Sequence, residues 1–157
     1  MNNLPGTSFT GPELCKLDAV QVVELLRKKE ISPQELLDSS FKRISQVEPS
    51  LNAIPTLCEE RARKSAKNWQ DTGQGNPDEP GWLGGMPVGI KDLTPVAGVR
   101  TTFGTKGLSE FVPKESEPLV VNLEKRGAIV IGKTNAPEMG AGGNTYNAVF
   151  GLTRNPW

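Results

Sequence analysis

The sequence predicts an α/β fold in which helices cover a mixed β-sheet. Before position 70, apolar residues recur at helical spacing, whereas after position 81 short apolar runs alternate with glycine-rich turns. The 157 residues have the length of one domain. We therefore expect a helical N-terminal layer at 1–70, a surface loop at 71–81, and the first part of an α/β core at 82–157, all within the same domain.

The first two helices are predicted from apolar spacing and end signals. Residues 18–30 place a broad apolar face on one side of a helix, formed by Val20, Val22, Val23, Leu25 and Leu26. Ser32 and Glu35 form a capping box around a proline at the first helical position. This pattern predicts a second helix over residues 33–47, with Leu37, Phe41 and Ile44 facing the core and Pro49 ending it.

The rest of the N-terminal layer is predicted to hold a strand and a third helix. Residues 51–54 are a short strand candidate, and residues 59–69 form a charged helix with Ala62, Ala66 and Trp69 on one face. The following residues are rich in glycine, proline and asparagine and sustain neither a helical nor a strand period. They predict the surface loop.

Beyond the loop, two strands flank a helix. The apolar run of residues 86–90 predicts a strand that ends at Lys91, and residues 128–131 predict a buried, β-branched strand. Residues 116–126 predict a helix with Leu119, Val120 and Leu123 on its apolar side, ended by Gly127.

Composition excludes several classes of function. Lysine plus arginine and aspartate plus glutamate both number 18, so no net field attracts nucleic acid or an anionic membrane. We see neither a signal peptide nor an apolar run long enough to span a bilayer, and expect a cytoplasmic protein. Histidine is absent, and Cys15 and Cys58 lack metal-ligand spacing. We predict buried free thiols, no metal and no cofactor.

Lys91 is the candidate for acid–base chemistry. It ends an apolar run, where we expect its ammonium to be half withdrawn from water. Desolvation lowers a lysine pKa, and moving it from ~10.4 to near neutrality takes about 4 kcal/mol. The alternative for Lys91 alone is an ordinary lysine that extends into solvent or pairs with Asp92.

Residues 127–134 match the pattern of a phosphate-binding loop, but their context disfavours that function. Such a loop needs a flexible turn between its glycines and a helix starting at its lysine. Here the intervening residues are alanine, isoleucine and valine, which favour the strand itself. We predict that no nucleotide binds, and that Lys133 is a strand-end lysine hydrogen-bonded to a neighbouring loop.

Four segments, taken together, closely resemble the amidase signature family. They are residues 84–92 (GGMPVGIKD), 98–105 (GVRTTFGT), 127–138 (GAIVIGKTNAPE) and 151–157 (GLTRNPW). The resemblance implies an amidohydrolase with a Ser-cisSer-Lys triad that cleaves a carboxamide through an acyl-enzyme. Lys91 matches the catalytic lysine. The Gly-Ser-rich motifs that carry both serines lie beyond Trp157 in the family, so we expect an N-terminal portion that is inactive alone.

The resemblance also implies roles around Lys91. Met139, Gly140 and Ala141 would line the substrate cleft, the alternative being an ordinary glycine-rich loop. Residues 101–104 would support the lysine strand by packing, and Asp92 would be a structural partner that bonds backbone, because a nearby carboxylate opposes a basic lysine. The implied ligand is a small-molecule amide.

Other functions remain open at this stage. The chain resembles both general amidases and the amidotransferase A subunit, which amidates mischarged tRNA with glutamine and needs partner subunits. From another class, it is also compatible with a non-catalytic remnant that binds a partner through an open sheet edge. We expect the strands near Lys91 and Lys133 to be fully buried, requiring neighbours from the missing C-terminal portion or from another copy. Alone, the chain should associate or leave residues 142–157 without regular structure.

Overall fold

The computed structural model describes residues 11–72 and 75–156, built around a mixed three-stranded sheet. Strand β1 (Thr56–Leu57) runs antiparallel to β3 (Ile129–Thr134), and β2 (Pro87–Lys91) runs parallel to β3 on its other side. The expected mixed sheet is confirmed. Parts of the predicted N-terminal layer (1–10) and loop (73–74), and Trp157, lie outside the described residues.

Helix α1 (Ala19–Arg27) begins at a capping box between Asp18 and Gln21. Only one side of its predicted apolar face packs inward. Val22 and Leu26 are buried, whereas Val20, which belongs to the predicted apolar face, is 74% exposed. The contact surface of α1 is therefore narrower than the apolar pattern indicated.

Helix α2 (Pro33–Leu51) confirms the capping box of Ser32 and Glu35 but does not end at Pro49. The proline lies in the last turn, where its missing N–H removes only one helical bond. The helix closes instead at Asn52, which adopts a left-handed conformation with φ 55° and donates its backbone N–H to the Glu48 carbonyl at 2.8 Å. The predicted strand at 51–54 is consequently wrong, and the strand β1 follows it.

One face of the sheet packs against α2 and α3 (Glu59–Thr72). Helix α3 is slightly longer than predicted and buries Ala62 and Ala66 completely, so their small side chains let the helices approach closely. They share one apolar cluster with α2 and β3, made of Leu37, Phe41, Ile44, Ala62, Ala66, Ile129 and Ile131.

The other face of the sheet packs against α4 (Pro118–Lys125) and the loop after β2. This second cluster contains Ile90, Val96, Val99, Val120 and Val130. Helix α4 is shorter than predicted, and Gly127, at φ 95°, follows its end as expected. Leu119 is 59% exposed, so its predicted place on the packed side is wrong.

The two longer strands differ in burial. In β3 every residue from Ile129 to Lys133 is buried, as predicted, because β3 lies between β1 and β2. The same prediction is wrong for β2, where only Ile90 is fully buried, because β2 is an edge strand among the described residues.

Of the two outcomes expected for the chain alone, the lack of regular structure after residue 142 is wrong for the described residues, and association stays a prediction. Strands β4 (Tyr146–Asn147) and β5 (Gly151–Leu152) form a short antiparallel hairpin. Cys15 and Cys58 are free thiols but only half-buried, and burial raises the pKa of each. Within the described part of the chain, none of the helices combines the length and apolar character needed to cross a membrane.

Candidate active site

Lys91 lies at the carboxyl end of β2 and is exposed. It stands opposite Thr134 in the parallel ladder, and strand alternation puts its side chain on the other face from the buried Ile90. The expected half-withdrawal from water is therefore wrong for the part of the chain that the structure describes. An edge strand has a neighbour on one side only, and this leaves the end of β2 open.

Asp92 is turned away from solvent and fully buried. Its carboxylate accepts hydrogen bonds from the backbone N–H of Thr102 at 3.1 and 3.2 Å and from the Thr102 hydroxyl at 2.5 Å. The expected bond to backbone is confirmed. The cation that pairs with Asp92 is Lys133, whose Nζ lies 3.4 Å from Oδ1, so the alternative pairing with Lys91 is wrong.

Lys133 is the largest fully buried side chain in the described residues. Its ammonium donates to the Thr94 carbonyl at 2.8 Å and to the Thr101 hydroxyl at 2.7 Å. The predicted bond to a neighbouring loop is confirmed. Burial lowers the pKa of Lys133, while the Asp92 carboxylate acts in the opposite direction. The three polar contacts match the three donors of an ammonium, which compensates part of the cost of burial.

Residues 101–104 hold the segment that follows Lys91. The Phe103 amide donates to the Asp92 carbonyl at 3.0 Å, and the Thr102 hydroxyl accepts from the Gly104 amide at 3.0 Å. Phe103 has a φ of 54°, in the left-handed region that a bulky residue rarely adopts. These contacts agree with the expected packing support.

Met139, Gly140 and Ala141 lie beside the turn that follows Lys91. The Met139 amide donates to the Phe103 carbonyl at 2.8 Å. Gly140 has a φ of 74°, and a Cβ there would lie 2.7 Å from Leu93 Cδ1, so only glycine fits without displacement. Residues 139–141 thus contact Leu93 and Phe103, which belong to the segment that follows Lys91.

Met139 is itself strained and exposed. Its φ is 51°, and 59% of its surface is accessible. Together with Phe103 it forms a pair of bulky left-handed residues joined by one hydrogen bond. Such conformations cost roughly 1–3 kcal/mol each and cluster at functional sites, where the surrounding structure enforces them.

A buried amide network fixes the far end of the 139–141 loop, and sequence reasoning missed it. Asn147 Nδ2 donates to Asn135 Oδ1 at 2.7 Å and to the Ala136 carbonyl at 2.8 Å. Asn135 Nδ2 donates to the Thr153 hydroxyl at 3.0 Å, which in turn donates to the Asn52 carbonyl at 2.6 Å. Only tertiary structure unites these residues, since isolated asparagines are equally typical of loops.

Comparisons with known proteins identify the family of the chain. The family model described as Amidase matches residues 35–157, well over half of the chain. The chain belongs to the amidase family. A solved structure of 6-aminohexanoate cyclic dimer hydrolase, complexed with substrate, superposes with a TM-score of 0.80 and 31% identity, covering 93% of this chain and 29% of that one.

Two further relatives illustrate the range of the amidase family. A bacterial aryl acylamidase of the amidase signature family gives a TM-score of 0.78 at 31% identity, covering 89% of this chain and 29% of that one. The A subunit of glutamyl-tRNA(Gln) amidotransferase from Geobacillus sp. (strain WCH70) is 46% identical over 133 residues, covering 85% of this chain and 27% of the relative. The chain therefore spans less than a third of the length of the relatives that it matches.

Proposed function

We propose that this chain supplies the catalytic base and part of the substrate cleft of an enzyme that hydrolyses a carboxamide through an acyl-enzyme. Lys91 is the base in this proposal, and residues 139–141 contact the substrate. The observation that carries it is the position of Lys91. Lys91 is exposed at the end of β2, and Gly140 lies so close to Leu93, two residues further along the chain, that a Cβ on Gly140 would come within 2.7 Å of Leu93 Cδ1.

The proposed chemistry requires a neutral Lys91 amine. The amine accepts a proton from one serine, which relays a proton from the nucleophilic serine and later passes one to the leaving amine. The 157 residues contain no Gly-Gly-Ser-Ser-Gly-Gly motif to supply these serines. In this proposal the remaining part of the enzyme brings them to Lys91 and covers it, and that desolvation lowers the lysine pKa.

A second candidate is the glutamine-dependent amidotransferase A subunit. It is supported by curated relatives of that name at 39–46% identity. In that case the amide is glutamine, and the released ammonia serves a partner subunit. Both candidates share Lys91 as the base, so the substrate distinguishes them.

The test uses a completed enzyme, in which residues 1–157 are followed by their own downstream reading frame or by the matching portion of the Geobacillus relative. A downstream sequence beginning with a Gly-Gly-Ser-Ser-Gly-Gly type segment would itself support the proposal. Lys91→Ala should lower kcat by several orders of magnitude with little change in KM, because a base acts in the transition state. Lys114→Ala, at another exposed lysine, is the matched control and should keep kcat unchanged.

The substrates are chosen to separate the two candidates. Hydrolysis of a simple aryl amide without other subunits supports the amidase. Glutamate release from glutamine that appears only with partner subunits supports the amidotransferase. A folded, completed enzyme whose kcat is insensitive to Lys91→Ala would remove Lys91 from the mechanism, and one that cleaves neither amide would refute the proposal.

A further inference from the structure

The fully buried pair of Lys133 and Asp92 lies directly behind the proposed base. Asp92 follows Lys91 in the chain, and Lys133 stands opposite Ile90 on the central strand β3. Surface ion pairs contribute little to stability, but a pair with 0% and 1% side-chain exposure is costly to desolvate. Removing only one partner leaves an uncompensated buried charge and is strongly destabilising. The presence of the pair therefore calls for a reason besides stability.

The contacts of Lys133 all fall on the segment that begins after Lys91. Its ammonium reaches the Asp92 carboxylate, the Thr94 carbonyl and the Thr101 hydroxyl. The Thr94 amide in turn donates to the Lys91 carbonyl at 2.9 Å. One buried ammonium thus contacts three points of the segment 92–101, two of them in the turn that follows Lys91.

The same contacts hold the carboxylate of Asp92, the residue that follows Lys91 in the sequence, on Thr102 and Lys133. Asp92 is adjacent in sequence, and a carboxylate beside Lys91 would favour its protonated form and oppose its use as a base. Instead, the Asp92 carboxylate is held by Thr102 and by the opposite charge of Lys133. Among the described residues, the Cys58 thiol at the junction of β1 and α3 is a second ionisable group that acts on Lys133.

We infer that Lys133 and Asp92 are positioning residues for Lys91. Their contacts fix the turn after β2, and the Lys133 ammonium neutralises the charge of the Asp92 carboxylate, so that Lys91 is oriented and free to act as a base. This inference rests on the proposed function. Lys133 then has a role other than phosphate binding, although residues 127–134 match the motif of a phosphate-binding loop.

The test compares Lys133→Met with Lys133→Met/Asp92→Asn in the completed enzyme. The single variant removes the cation that pairs with the Asp92 carboxylate, so the acid limb of the kcat–pH profile should move to higher pH. At neutral pH, kcat should fall roughly tenfold, the effect of one pKa unit on the neutral fraction, while KM changes little. The double variant removes both charges and should recover most of the lost kcat and return the limb toward its wild-type position.

A merely structural pair would give a different result. Lys133→Met would then lower thermal stability while kcat and the acid limb of the folded enzyme stayed unchanged, and this would overturn the inference. A double variant no better than the single one would overturn it as well. Lys91→Ala must first lower kcat in the same assay. If it does not, the proposed function has failed, and that failure is distinguished from failure of the inference about Lys133.

Two threonine variants keep the inference testable if Lys133→Met does not fold. Thr101→Val removes one acceptor of the Lys133 ammonium and should lower kcat several-fold. Thr56→Val is the matched control, because the Thr56 hydroxyl is buried without a hydrogen-bond partner among the described residues. Its kcat should be unchanged. Equal kcat values for the two variants would contradict the inference.

Discussion

Leucine-to-alanine substitutions at Leu37 and Leu119 should separate the packed helix faces from the open ones. Both leucines lie in helices, so the change in helix propensity is the same. Leu37 is 0% exposed in the cluster between α2, α3 and β3, whereas Leu119 is 59% exposed. Any difference in the free energy of unfolding then reports burial and packing.

The expected loss of unfolding free energy follows from the carbon atoms and contacts that Leu37→Ala removes. Shortening its side chain to a methyl group removes Cγ, Cδ1 and Cδ2 and forfeits about 2 kcal/mol of transfer free energy, and the cavity left among buried neighbours adds to this. We expect Leu37→Ala to cost about 3–4 kcal/mol, and Leu119→Ala less than ~1 kcal/mol. With a urea m-value of about 2 kcal/mol/M, the transition midpoint should fall by roughly 1.5–2 M for Leu37→Ala.

Tryptophan fluorescence during urea unfolding of the 157-residue chain measures both variants, at several protein concentrations to detect association. A Leu37→Ala chain that is already unfolded without urea also fits the expectation, since its cost then exceeds the stability available. Midpoints of the two variants that agree within about 0.3 M would refute the assignment of the α2–α3 face as the main core.

Three other predictions concern chemistry and charge. The 157-residue chain should show no turnover of an aryl amide, because it lacks the serine motif, and a signal abolished by Lys91→Ala would contradict this. ATP and GTP should bind no better to the native chain than to Lys133→Ala, as titration calorimetry would show. The residues that match a phosphate-binding loop form strand β3 instead of a flexible turn. Burial lowers the pKa of Lys133, so the unfolded chain binds more protons between the folded pKa and ~10.4, and unfolding free energy should rise with pH in that window. Urea midpoints at successive pH values up to ~10.4 should show this rise, and Lys133→Met should weaken it.

Local signals predicted much of the helical layer. The capping box at Ser32 and Glu35 set the start of α2 correctly, because its reciprocal hydrogen bonds are formed within one turn of the chain. Gly127 likewise marked the end of α4. Errors arose where tertiary structure overrides a local preference. Pro49 is tolerated inside the last turn of α2, and Asn52 ends the helix because its side chain also binds carbonyl oxygens in the distant hairpin.

Burial of apolar faces was harder to predict than their existence. Val20 and Leu119 belong to apolar patterns, yet both are exposed because no described element covers those positions. Periodicity states which residues share a face but not how wide the covering layer is. Tyr146 and Leu152 are paired across the β4–β5 hairpin and are both exposed, because cross-strand pairing alone does not bury apolar side chains.

The two strand-end lysines show most clearly what local sequence cannot decide. Lys91 and Lys133 both follow short apolar strands, and desolvation was expected at Lys91. The structure buries Lys133 instead, because β3 is the central strand of the order β1-β3-β2 while β2 lies at the edge. Strand order is set by pairing between distant segments, so the residues on either side of each lysine do not predict which strand is central. Once the order is known, the roles separate: the central lysine meets a carboxylate and two oxygen acceptors, and the edge lysine stays accessible. An accessible amine at an open strand end can receive a covering segment, and that segment would supply the desolvation that a catalytic Lys91 requires.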